Sequence, residues 1–187
     1  MSGRRWATGV GAVVVLAATG TWAMRPADVG TRPSAADVDT RLWSQVRPVI
    51  EARLVAEAHG SGYGEAVPAL DARWFCRAEP IGLEEHGDAV RAGVDTLCVE
   101  YGMHGRTLVE CSAGQVPQVV SLARDTDGGY RVVSREEAPD GAGNGRWTRK
   151  HLGVFASSLV DSMPSDALEA AARTHFGLAA DAPVGDC

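Results

Sequence analysis

TLCVEYGMHGRTLVEC, residues 96–111, places two runs of strand-forming residues on either side of His104-Gly105. Glycine supplies the backbone freedom a tight reversal needs, and so short a connection joins only antiparallel neighbours. Leu97, Val99 and Tyr101 alternate with Thr96, Cys98 and Glu100, which predicts one buried and one wetter face. An all-parallel sheet is excluded.

The same grammar extends over residues 73–136. Strands are predicted near 73–84, 89–101, 106–112, 118–124 and 129–136. Turns are expected at His86-Gly87, His104-Gly105, Gly114-Gln115 and Asp127-Gly128-Gly129, giving a five-stranded antiparallel meander. Pro80 cannot donate to a ladder, so the first strand lies at an edge or carries a bulge.

Helical periods flank the strands. Val38, Leu42, Val46, Val49/Ile50 and Leu54 form one stripe, with Pro48 predicting a kink or two successive short helices and His59-Gly60 an end. GSGYGEAVP (60–68) reads as loop. After DGAGNG (140–145), a second stripe runs through Trp147, His151, Val154/Phe155 and Leu159 to Met163-Pro164. Ser165 is the expected N-cap of a last helix through Leu168 and Phe176, closed by Gly177. The fold class is therefore α+β: an N-terminal helix, the meander and two C-terminal helices, forming one domain over residues 37–187.

Ahead of this domain, Arg4-Arg5 precede an apolar run from Trp6 to Met24. Basic residues before an apolar stretch are the mark of an export signal or membrane anchor, so residues 1–24 are read as a signal peptide or signal-anchor helix. As a helix the run would reach roughly 28 Å, about one hydrocarbon thickness. Trp6 and Trp22 would then mark the two interfaces. Cleavage after Ala18-Thr19-Gly20 or Thr21-Trp22-Ala23 is the other reading. No cysteine directly follows the run to carry a lipid. Residues 25–36 form a Pro- and Ala-rich linker. Both readings place residues 25–187 outside the cytoplasm, either on a single-pass protein with its amino end inside or on a secreted one.

The 187 residues carry 18 Lys+Arg against 24 Asp+Glu, a net charge of -6, which argues against nucleic acid as a partner. Lys150 is the only lysine. Arginine enrichment of this kind fits GC-rich codon usage and does not point to phosphate recognition. Cys76, Cys98, Cys111 and Cys187 form an even set without a Cys-x-x-Cys zinc spacing, so two disulfides are expected. Symmetry about His104-Gly105 pairs Cys98 with Cys111 and leaves Cys76 for Cys187, the preferred connectivity. A turn at His86-Gly87-Asp88 pairs Cys76 with Cys98 instead, leaving Cys111 for Cys187.

Val116-Pro117, Val119-Val120, Gly129-Tyr130, Val132-Val133, Pro139-Asp140-Gly141 and Phe155 sit in a pattern that resembles extracytoplasmic bacterial domains. Such domains occur in small secreted proteins and beside membrane-bound sensor peptidases of the beta-lactam-sensor type. The resemblance implies no catalytic residues, and the motif His-Glu-x-x-His is absent, so peptidase activity does not transfer. The order of helix and then sheet is also similar to the cystatin/NTF2-like architecture, an analogy of fold alone.

Candidate chemistry is sparse. Glu84, Glu85, His86 and Asp88 could bind a metal or move protons, but they fall at a turn, where polar residues belong in any case. Glu100 and Glu110 could oppose one another as glycosidase carboxylates do, although like charges face to face cost stability. Trp74, Tyr101 and Tyr130, with Phe75, could line a pocket or simply pack a core. No catalytic residue, metal or cofactor is assigned. The leading expectation is a non-enzymatic envelope domain that binds a protein or small molecule, with contact to the membrane through an uncleaved leader. A small secreted hydrolase using carboxylate and histidine residues, and a structural or assembly factor, are the alternatives.

Overall fold

A computed structural model describes residues 38–153, 156 and 163–187. The leader, the linker and the predicted positions Val154, Phe155 and Leu159 lie outside the described residues.

Helix α1 (Thr40–Ala58) starts at Asp39, whose Oδ1 accepts the Arg41 and Leu42 N–H groups at 2.8 and 3.0 Å. Such a cap satisfies donors that the first turn leaves open. Leu42, Val46, Ile50 and Leu54 are its buried stripe. The helix runs through Pro48 without dividing into two short ones. Pro48 and Ser44, whose carbonyl loses its usual N–H partner, both lie on the exposed side of the helix.

Strands β1 (Arg73–His86), β2 (Ala89–His104), β3 (Thr107–Arg124) and β4 (Tyr130–Glu137) form an antiparallel meander in sequence order. A short β5 (Val184–Asp186) joins β3 in parallel. The expected turn at Gly114-Gln115 does not occur. β3 is one strand of 18 residues, paired with β2 straight through that point (Cys98 opposite Gly114, Leu97 opposite Gln115). β2 is long enough to continue the ladder, so a turn there would only forfeit hydrogen bonds. The meander thus has four strands, and the fifth comes from the tail. Gly87, Gly105 and Gly128 take φ of +60°, +63° and +80° at the three expected turns. Pro80 satisfies both expectations at once, since β1 is an edge and its register shifts between Pro80 and Gly82.

The disulfides are Cys76–Cys98 and Cys111–Cys187, which overturns the preferred pairing of Cys98 with Cys111 and Cys76 with Cys187. The β2–β3 ladder closes with His104 opposite Thr107, so the reversal centres on Gly105-Arg106. A bulge at Glu100/Tyr101 adds a further step, and Cys98 ends up opposite Gly114.

Both sheet faces are covered. One packs Val90, Ala92, Val94, Val120 and Leu122 against α1. The other packs Leu97, Val99, Tyr101 and Leu108 against α3 (Asp166–His175) through Leu168 and Ala172. Helix α2 (Asn144–Leu152) lies on this second face, where the Arg91 guanidinium donates to the His151 carbonyl at 2.8 Å. Ser165 stands at the N-cap position of α3 as expected, but its side chain caps no backbone N–H and its hydroxyl donates to Glu169 at 2.9 Å instead. Gly177 (φ +64°) ends α3, with the Leu178 N–H on the Arg173 carbonyl at 2.9 Å. The predicted wetter face of β2 is not wet. Thr96 is 2 % exposed and Glu100 0 %, because α1 and residues 59–72 roof that face.

Candidate functional site

Under the C-terminal half of α1 a cleft of about 650 Å³ crosses the sheet from Trp74 on β1 to Arg135 and Glu137 on β4. Its size falls in the range of small-ligand sites. The floor is polar and buried. The Gln118 amide donates to Thr96 Oγ1 at 2.7 Å, and that hydroxyl donates to the Val116 carbonyl at 2.8 Å. Gln118 Oε1 accepts from Arg135 Nη1 at 3.1 Å, and the same guanidinium pairs with Glu57 and Glu137. Arg53 reaches Glu57 from the other side at 2.5 Å. Burial alone would raise the Glu57 carboxyl, but hydrogen bonds and charge from Arg53 and Arg135 outweigh it and hold the group below the usual 4.5.

The first wall is a loop tied to two carboxyl groups. Glu100 accepts the Gly64 N–H at 2.9 Å on one oxygen and the Glu65 N–H at 2.7 Å on the other. Glu65 Oε2 in turn accepts the Gly60 N–H at 2.6 Å and the Trp74 indole N–H at 3.3 Å. Burial pushes Glu65 upward, yet the bonds from Gly60, Gly62 and Trp74 and the charge of His59 leave it below 4.5. A Cβ at Gly62 would run into the Glu100 carboxyl group, so any larger residue must displace the carboxylate that holds this loop. The Trp74 ring is therefore fixed in place at one end of the cleft.

Of the candidate aromatics only Trp74 borders this cleft. Tyr101 is buried on the opposite face beneath α3, where burial and the charges of Glu110 and Glu169 raise its phenol above the ordinary value. Tyr130 packs beneath α1 with Arg124 4.7 Å over its ring. The three do not form one pocket, since strand alternation and register send them to separate places.

Glu84, Glu85, His86 and Asp88 do lie at the β1–β2 turn, but they do not converge. Glu84 faces Arg91 at 3.6 Å and His86 at 3.9 Å, whereas Glu85 points to the other face and Arg124 at 3.4 Å. Among the described residues no group of three His, Cys, Asp or Glu side chains is arranged to hold a metal. Glu100 and Glu110 also part company. The bulge sets Glu110 opposite Tyr101 and Ser112 opposite Glu100, so the two carboxylates take different faces.

No family model, curated protein or solved structure matches this chain. The reading therefore rests on its own residues.

Thr96, Gln118, Arg135, Glu57, Glu137 and Asp140 were not singled out from the sequence. The available signal was a polar residue inside an apolar strand, as at Thr96 and at Gln118. Such a residue is buried only where partners wait for it. The two disulfides fit an oxidising compartment outside the cytoplasm. Among the described residues, no helix is long and apolar enough to cross a membrane.

Proposed function

We propose that this chain is an exported, non-enzymatic binding domain whose ligand occupies the cleft between α1 and the sheet. The observation that carries this reading is the Thr96–Gln118–Arg135–Glu57 network on the cleft floor. Thr96 and Gln118 are 2 % and 0 % exposed, and each polar group already holds a partner before any ligand arrives. A floor ordered in this way loses little freedom on binding, which is how preorganised sites gain affinity. The apolar leader and the resemblance to extracytoplasmic domains support the same compartment, with the leader retained as an anchor or removed.

Gly114 lines the cleft, and a Cβ added there meets nothing within 4 Å. A photo-crosslinking benzoylphenylalanine at position 114, irradiated in intact cells, is expected to give an adduct. The same residue at Val133, exposed on β4 outside the cleft, should give none. Equal labelling at both positions, or no adduct at 114 in folded protein, would refute the reading. A reporter active only outside the cytoplasm, fused after Cys187, must also be active.

A further inference from the structure

The cleft is polarised, and its two ends describe a ligand. At the β4 end Glu57, Glu137 and Asp140 line the cleft together with Arg135, the single lining cation among the described residues. Arg135 is itself occupied by Glu57, Glu137 and Gln118. Arg53, outside the cleft, offsets one carboxylate through its bond to Glu57. Three carboxylates against Arg135 and Arg53 leave one net negative charge at the rim, where Glu137, paired with Arg135, and Asp140 are exposed. The β1 end is different. There the Trp74 ring is held by Glu65, and Leu54 and Val116 add apolar lining towards the middle.

Three inter-strand steps separate β1 from β4, so the strands that carry the aromatic and acidic ends lie roughly 14 Å apart. That is the reach of about four extended residues. A small compact amine cannot touch both ends. From this geometry we infer that the cleft binds an extended peptide segment, with a Lys or Arg side chain at the Glu137/Asp140 end and an apolar side chain against Trp74. The inference rests on the proposed binding role and adds the class of ligand. Charge complementarity selects the orientation, and Trp74 supplies the contact area.

The test uses the full-length, oxidised chain in detergent micelles and the probe N-acetyl-Phe-Ala-Ala-Ala-Lys amide. Binding is followed through the Trp74 indole N–H resonance, with affinity from calorimetry. The lysine probe is expected to shift Trp74 and to bind about fivefold more tightly than its glutamine analogue, the worth of one or two partly exposed ion pairs. The glutamate analogue should be weaker again. In the variant Asp140→Asn, which leaves the Glu137–Arg135 pair in place, the lysine preference should fall while Trp74 still responds. In the combined variant Glu137→Gln, Asp140→Asn the preference should vanish. If all three probes bind equally through Trp74, the charge assignment falls and the binding role stands. If no probe moves Trp74 at millimolar concentration, the peptide assignment falls, and crosslinking at position 114 decides separately whether the cleft binds anything.

Discussion

Cys76 stands directly opposite Cys98 because β1 carries one extra residue in its bulge between Pro80 and Gly82. From the β1–β2 turn the ladder counts His86 against Ala89 and Gly82 against Gly93. Continued without a break, that count would bring Cys76 to Val99. The shift at Ile81 moves Cys76 back to Cys98 and puts both sulfurs on one face. The bulge beside Pro80 thus sets the register that allows the bond.

Inserting one alanine after Ile81 should therefore abolish the Cys76–Cys98 bond, whereas deleting Ile81 removes the bulge and should leave Cys76 opposite Cys98. A slip of one residue turns the Cys76 side chain to the other face of the sheet, out of reach of Cys98. Alkylation of the denatured, unreduced insertion variant followed by mass spectrometry should find two free thiols, at Cys76 and Cys98, with Cys111–Cys187 intact. Recovery of both native bonds in the insertion variant, or loss of Cys76–Cys98 in the deletion variant, would show that the residue count through the bulge is not what aligns them.

The two disulfides should differ in their effect on stability. Cys111–Cys187 closes a sequence separation of 76 residues and Cys76–Cys98 one of 22. Restricting the unfolded chain over the longer loop is worth about 4 kcal/mol, against about 3 kcal/mol for the shorter. The longer bond also retains β5, which the sheet holds through only a few hydrogen bonds, among them Cys187 N–H to the Glu110 carbonyl at 3.0 Å. Replacing Cys111 and Cys187 together by serine should lower the urea midpoint more than replacing Cys76 and Cys98. The reverse order would mean that native-state contacts outweigh loop length.

Glycine in the loop of residues 60–64 separates packing from propensity. Gly62→Ala forces a methyl group into the Glu100 carboxyl, and overpacking of this kind costs about 1–3 kcal/mol. Gly114→Ala, on a strand with open space around it, should be neutral or slightly stabilising. Equilibrium unfolding of the two variants makes the comparison. If both behave alike, the carboxyl-bound loop does not constrain Gly62 as the geometry demands.

How much of this was legible beforehand follows from the range of the interactions. The α1 stripe, the Gly87, Gly105 and Gly128 turns, the Ser165 and Gly177 helix ends and the Pro80 irregularity are local signals, and all are present in the structure. The β3 strand was misread at Gly114-Gln115 because a glycine beside a polar residue looks the same in a turn and in an extended strand with room around it. Cysteine pairing failed on two single-residue shifts, at Glu100/Tyr101 and at the position of the β2–β3 turn, neither of which has a sequence signature. The cleft was missed for a different reason. Glu57, Thr96, Gln118 and Arg135 come from four elements, and Arg135 lies 78 positions from its Glu57 partner. Periodicity ranks such residues as surface, and only the assembled sheet brings them together.

Acid should act on Glu57 and Asp95 in opposite senses. Glu57 is held below 4.5 despite the opposing effect of its burial, by Arg53 and Arg135. Its contribution is fully present above about pH 4.5 and is lost as pH falls through the lower folded value. Asp95, 3 % exposed, is raised above 3.8 by burial, which the bonds from Gln115 and Thr96 counter only in part. Its charged form is a cost at neutral pH, relieved as pH falls through the raised folded value towards 3.8. Acid loss from Glu57 is thus partly masked by Asp95 in the native chain. Carboxyl-detected NMR should place the Asp95 midpoint above 3.8 and that of Glu57 below 4.5. Urea unfolding should then show Glu57→Gln less stable than the native chain at about pH 7, with the gap closing as pH falls below about 4. A gap that stays constant with pH would mean that Arg135 is held by Gln118 and Glu137 without help from the Glu57 charge.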